Sequence, residues 1–88
     1  MVLVDEIQLQ GRGDGYDEWV KKYRLQYSEN LTDWKDVEGG EEFTGNSDRE
    51  TIVSNKLANS IKCAAIRIIP TEWQQHISMR CEVIFRNQ

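Results

Sequence analysis

The stretch Ile77-Ser78-Met79-Arg80-Cys81-Glu82-Val83 decides the fold class, because its odd positions are apolar and its even positions polar or charged. Successive side chains of an extended chain point to opposite faces, so a period of two reads as a half-buried strand with Met79, Cys81 and Val83 inward. The same rule puts Tyr23, Leu25 and Tyr27 of Tyr23-Arg24-Leu25-Gln26-Tyr27 on one face, ending at the turn-prone Ser28-Glu29-Asn30. Ala64-Ala65-Ile66-Arg67-Ile68-Ile69 reads as a third strand, ended by Pro70. Shorter candidates are Val4 to Gln10, Trp34 to Val37, and Thr51 to Leu57 with its β-branched start. Turn signals fall between them, at Gly11 to Gly15, Ser28 to Asp33, Glu38-Gly39-Gly40, Gly45-Asn46-Ser47-Asp48 and Thr71 to Gln75. No segment sustains a 3.6-residue period. Residues 1–88 therefore read as one all-β unit, an antiparallel sandwich or barrel without repeat or linker.

Composition narrows the partners. The 88 residues are 39% hydrophobic and 30% charged with a single Pro, a balance that folds rather than stays disordered. A chain this short buries a smaller share of its surface than a mid-sized domain, so further core has to come from elsewhere. The net charge of −4 offers no basic field, which argues against nucleic acid and anionic membranes as partners. Lys21, Lys22 and Arg24 are the densest basic group, and on a strand they do not share a face. No apolar run approaches the ~18 residues of a membrane span. Met1 to Asp5 lacks the regions of a signal peptide, so a targeting segment is expected to lie outside this sequence.

No constellation of residues with the spacing of a catalytic or metal site stands out. Cys63 and Cys81 fit neither a zinc motif nor a C-x-x-C redox motif. His76 has no nucleophile or second ligand near it in sequence and reads as a surface residue in a turn. Asp14, Asp17 and Glu18 could pair as acid and base or hold calcium, but no known ligand spacing frames them. The expectation is no catalytic residue, no metal and no cofactor.

A family resemblance rests on longer runs. Gln10-Gly11-Arg12, Trp19-Val20, Tyr23-Arg24-Leu25-Gln26-Tyr27-Ser28 and Trp34 come first, then Phe43-Thr44-Gly45-Asn46-Ser47-Asp48. Ile66-Arg67-Ile68-Ile69-Pro70-Thr71-Glu72-Trp73 and the Ile77 to Val83 stretch complete them. In order and spacing these residues resemble the C-terminal part of a discoidin (coagulation factor 5/8 type C) domain, over about residues 4 to 85. The resemblance implies a discoidin-type, galactose-binding-like jelly-roll sandwich that binds ligands through loops at one end. It also implies that the opening half of the family pattern and its two terminal cysteines have no counterpart here, the chain closing as Phe85-Arg86-Asn87-Gln88. The expectation is a partial or shortened domain with open faces and edges. In the pattern Cys81 takes an inward position, which makes it a buried apolar thiol; a Cys63–Cys81 bridge stays open if the two strands pair closely. Trp19, Trp34 and Trp73 fall on framework positions and are expected to anchor the core.

Gly11 to Glu18 corresponds to the third ligand loop of the family, and Arg12, Asp14, Tyr16, Asp17 and Glu18 are its candidate binding residues. Arg and carboxylates hydrogen-bond hydroxyls and Tyr16 offers a ring to a sugar face; an acidic loop with no aliphatic pair disfavours phosphatidylserine. Arg12-Gly13-Asp14 spells the integrin-binding tripeptide, yet family members often carry Arg-x-Asp here, so one glycine produces it by chance. Asn30-Leu31-Thr32 is a glycosylation sequon in the turn after Ser28. The reading is a non-catalytic extracellular or cell-surface module, part of a larger secreted or membrane protein, that recognises a protein or glycan through Gly11 to Trp19. The alternatives are an assembly module completing its sandwich with a second copy or a partner chain, and a carbohydrate-binding module of a larger enzyme.

Overall fold

The computed structural model describes residues 1–12, 15 and 17–87. Seven strands and one 3₁₀ turn follow in order: β1 Val2–Gln10, β2 Trp19–Ser28, β3 Lys35–Asp36, the turn Val37–Gly40, β4 Phe43–Thr44, β5 Val53–Cys63, β6 Ala65–Gln74 and β7 Arg80–Asn87. They form two antiparallel sheets, the sandwich that the alternation predicts. One is three-stranded in the order β5-β1-β7; in the other β2 pairs with β6 along one edge and with β3 and β4 along the opposite edge.

Directly opposed residues of an antiparallel pair share a face, so the registers give the core. Val4, Ile7 and Leu9 of β1 oppose Phe85, Val83 and Cys81 of β7, and Tyr23, Leu25 and Tyr27 of β2 oppose Pro70, Ile68 and Ile66 of β6. Val4, Ile7, Leu9, Val20, Tyr23, Leu25, Val37 and Cys63 are buried, and Ile66, Ile68, Met79 and Val83 pack partly buried against them. Asn55 of β5 donates to the Tyr23 hydroxyl and to the Thr44 carbonyl, at 2.9 and 2.8 Å, which seats β5 over β2 and β4. The edges of β6 and β7 consequently lie together on the other side of the sandwich. In β1 the register shifts at Asp5, and this bulged residue turns outward to the guanidinium of Arg86, 2.7 Å away.

Several expectations are corrected at those two edges. Cys81 is exposed, not buried: it opposes the buried Leu9 as the alternation requires, but no described strand flanks β7 beyond it. Trp73, opposite Val20, is 43% exposed for the same reason on β6, whereas Trp19 and Trp34 are half-buried. Pro70 does not end its strand, which runs on to Gln74, because an edge strand tolerates a residue without an N–H. The last strand starts at Arg80, and Ile77 before it is exposed. The two cysteines are both free and lie opposite Val2 and Leu9, near the two ends of β1 and roughly 20 Å apart along it, far outside disulfide reach. Burial pushes the Cys63 thiol up, which keeps it an inert core residue.

Candidate functional site

At one end of the sandwich three connections meet: β1 to β2 (11–18), β4 to β5 (45–52) and β6 to β7 (75–79). Two glycines of the sequence motifs make the meeting possible. A Cβ on Gly11 would stand 2.6 Å from the Arg49 Cα and 3.0 Å from the Glu18 carbonyl oxygen, so only glycine admits the second connection against the first. Gly45 is as tight, with its Cβ position 2.5 Å from the Val20 carbonyl. There β2 carries a register shift around Lys21, and the N–H groups of Gly45 and Asn46 donate to the Lys21 and Val20 carbonyls, both at 2.7 Å. Gly11→Ala is expected to cost about 1–3 kcal/mol by overpacking backbone on backbone. The check is thermal unfolding alongside faster amide exchange at residues 45–51.

Asn46 ties the two sheets together. Its buried side-chain amide donates to the carbonyls of Leu9 (3.0 Å), next to the end of β1, and of Thr51 (2.9 Å), just ahead of β5. Asp48 closes the same turn by accepting from the N–H groups of Glu50 and Thr51 and from the Thr51 hydroxyl; these bonds hold its carboxyl below its ordinary value near 3.8.

The first connection is closed at its base by the Arg12 N–H donating to the Glu18 carbonyl at 2.9 Å. Glu18 points inward, only 4% exposed, and its carboxylate accepts from the Arg12 guanidinium and the Ser78 hydroxyl, each at 3.0 Å; His76 stands 3.9 Å from it. Arg80 donates to the Gly11 carbonyl at 2.9 Å. On the outer side Arg49 donates to the Gly15 carbonyl (2.9 Å) and to Asp17 (3.1 Å). Asp17, Trp19, Asp48, Arg49, Glu50 and Thr51 line an open depression of about 370 Å³.

Of the residues that the sequence singles out, Arg12 and Glu18 thus form an inward ion pair and Asp17 joins the outer rim. Gly13, Asp14 and Tyr16, including two members of the integrin tripeptide, lie outside the described residues. Sequence reasoning missed Arg49, Asp48, Ser78 and Arg80. The Gly11 and Gly45 of the motifs were the available signal, since glycines flanked by strand ends mark close backbone approach. Asn30, in the sequon, accepts from the N–H groups of Thr32 and Asp33 and donates to Asp33, so its turn is internally bonded on an exposed surface. His76 is exposed, as its turn position suggests.

The Arg12 hydrogen bond, with Ser78 adding to it, lowers the Glu18 pKa from its ordinary 4.5. A carboxyl lowered by folding stabilises the fold above its unfolded value and loses that contribution as pH falls through the folded one. Stability is therefore expected to decline below about pH 4.5, joined by Asp5 and Asp48 below about 3.8, both lowered by their hydrogen bonds. Melting curves across this range, with a shallower decline in Glu18→Gln, are the check.

An antiparallel sandwich with connections gathered at one end, Trp19 among the residues there, defines a class of loop-presenting β-domain. The sequence profile of the F5/8 type C domain matches residues 2–83, and the chain belongs to that family, the discoidin domains. It is 41% identical to a discoidin-1 polypeptide of Dictyostelium discoideum over 76 residues, covering 86% of this chain and 30% of that protein. Against human retinoschisin it is 39% identical over 87 residues, covering 93% of this chain and 38% of that protein. The wild-type discoidin II structure from Dictyostelium discoideum superposes with a TM-score of 0.89 at 36% identity, over 96% of this chain and 32% of that one. The chain thus spans about a third of the length of these relatives.

Proposed function

We propose that the chain is a non-catalytic recognition module of a cell-surface or extracellular protein, binding a glycan or a protein through the rim of the 11–18 and 45–51 connections. The observation that carries this reading is the depression in which half-buried Trp19 is ringed by Asp17, Arg49 and Glu50. Its volume lies in the range of small-ligand sites. A ring beside carboxylates and a guanidinium suits a sugar, whose C–H face stacks on the indole while its hydroxyls hydrogen-bond to the charged groups. Glu18 serves here as a positioning residue: its inward pair with Arg12 ties the two ends of the connection together, while Asp17 pairs with Arg49 on the outer side. The acidic rim works against anionic lipid surfaces.

The test is a glycan array and a panel of immobilised matrix proteins, probed with the wild type and with Asp17→Ala/Arg49→Ala. Retention by the wild type and its loss in the double variant, with unchanged circular dichroism, supports the site. Retention equal in both places the ligand elsewhere. Displacement of the ligand by a soluble Arg-Gly-Asp peptide would move recognition to the tripeptide.

A further inference from the structure

We propose that β7 is a self-pairing edge: two copies of the chain join antiparallel along β7 about a two-fold axis at Ile84, making one continuous six-stranded sheet.

Three edges of the sandwich carry long strands, and they differ in how pairing is discouraged. The β5 edge bears Lys56 and Lys62, and the β6 edge contains Pro70, which cannot donate to a ladder. Both are devices that blunt an edge. The β7 strand, Arg-Cys-Glu-Val-Ile-Phe-Arg-Asn, has neither lysine nor proline, and its only partner among the described strands is β1. Its inward side is open too, since Cys81 is exposed and Phe85 is 55% exposed. A strand added there would therefore cover apolar side chains as well as satisfy backbone groups.

The charges of β7 select the occupant. Arg80, Glu82, Ile84 and Arg86 face outward opposite Gln10, Gln8, Glu6 and Leu3 of β1, while Cys81, Val83 and Phe85 face the core side. A two-fold antiparallel pair that keeps inward residues opposite inward ones has to be centred on a residue. Centred on Glu82, it sets Glu82 against its own copy; centred on Val83, it sets Arg80 against Arg86 twice. Like charges in direct opposition are destabilising. Centred on Phe85, only the residues from Val83 onward overlap. Centred on Ile84, Glu82 opposes the second copy's Arg86 in both directions, Val83 opposes Phe85, and Ile84 meets Ile84. Glu82 has no ion pair among the described residues, and Arg86 is already held in place by Asp5 and Ser60 of its own chain. Those contacts draw the guanidinium over β1 towards β5 through Nε and Nη2, so the pair with the second copy forms through Nη1 or by turning Arg86 towards the free edge.

Sedimentation equilibrium of the chain at micromolar concentration should give twice the monomer mass. Glu82→Arg should weaken the dimer by about tenfold or more, because both charge pairs become repulsive. Mixing E82R with R86E should give a dimer tighter than either forms alone. Since R86E also loses its Asp5 contact, register is tested separately. Ile84→Cys in a Cys81→Ser background places its thiols about 4.5–5.5 Å apart by Cα, within disulfide range, and should cross-link on oxidation. Lys62→Cys on the β5 edge should not. A dimer untouched by E82R, or cross-linking of K62C equal to that of I84C, overturns the assignment. So does a monomer in which the β7 amides directed away from β1 exchange freely, which would leave the edge to strands of a longer polypeptide.

Discussion

Asn46→Asp is expected to cost about 3–5 kcal/mol, a large share of the stability of a small domain. Asn46 is 3% exposed and its amide group donates to two carbonyl oxygens, those of Leu9 and Thr51. A carboxylate in the same volume has no proton to give. It would place a buried negative charge beside two acceptors, and both carbonyls would lose their donor. Asn46→Ala removes the bonds without adding the charge, and about 2–3 kcal/mol is expected for it, from two acceptors left dry. The ordering of the two variants in urea unfolding is the check. An aspartate variant as stable as the alanine one would mean that the carboxyl is protonated or hydrated there. Because this amide joins the ends of β1 and β5, a surviving variant should also show a loosened 45–51 turn and weakened ligand retention.

Tyr23→Ala is expected to cost about 3–5 kcal/mol, the range of large aromatic truncations in a close-packed core. Tyr23 is the bulkiest of the fully buried side chains and stacks on Phe43 with ring centroids 5.5 Å apart. In a sandwich whose β6 and β7 edges stand open, little apolar burial elsewhere offsets such a cavity. Tyr23→Phe separates packing from the hydroxyl. It keeps the ring and removes only the acceptor of Asn55, which retains the Thr44 carbonyl, so a loss near 1 kcal/mol is expected, or about 4–8 °C in Tm. Equal losses in the two variants would place the energy in the Tyr23–Asn55 bond and not in the ring.

How much of this was legible in the sequence depended on the range of the interaction. Alternation is local, and it placed Tyr23, Leu25, Val83 and Cys81 on the correct faces. Burial is not local. Whether Cys81 or Trp73 is covered depends on which strand stands beside it, and the run of residues within a strand carries no such information. Pro70 misled for the same reason, since it ends a central strand but not an edge one. At the site, Arg12 and the acidic loop residues stood out by composition. Arg49 became meaningful only once its turn was laid against Gly11, and Glu18 looked like a ligand group until its partners Arg12 and Ser78 turned it inward. The family motifs carried the fold because their glycines and asparagine encode those long-range fits directly.

The position of β1 has a bearing on how the molecule assembles. It is the first strand of the chain and the middle strand of its sheet, with Val2 opposite both Cys63 and Asn87. Nearly the whole chain must be synthesised before this sheet can close, and the entropy of those long loops is lost before the pairing offsets it. Folding in milliseconds to seconds is the corresponding expectation, slow for a chain of this size. During that wait the apolar residues of β1 are without their partners, and the unpaired strand is open to aggregation until β5 and β7 reach it.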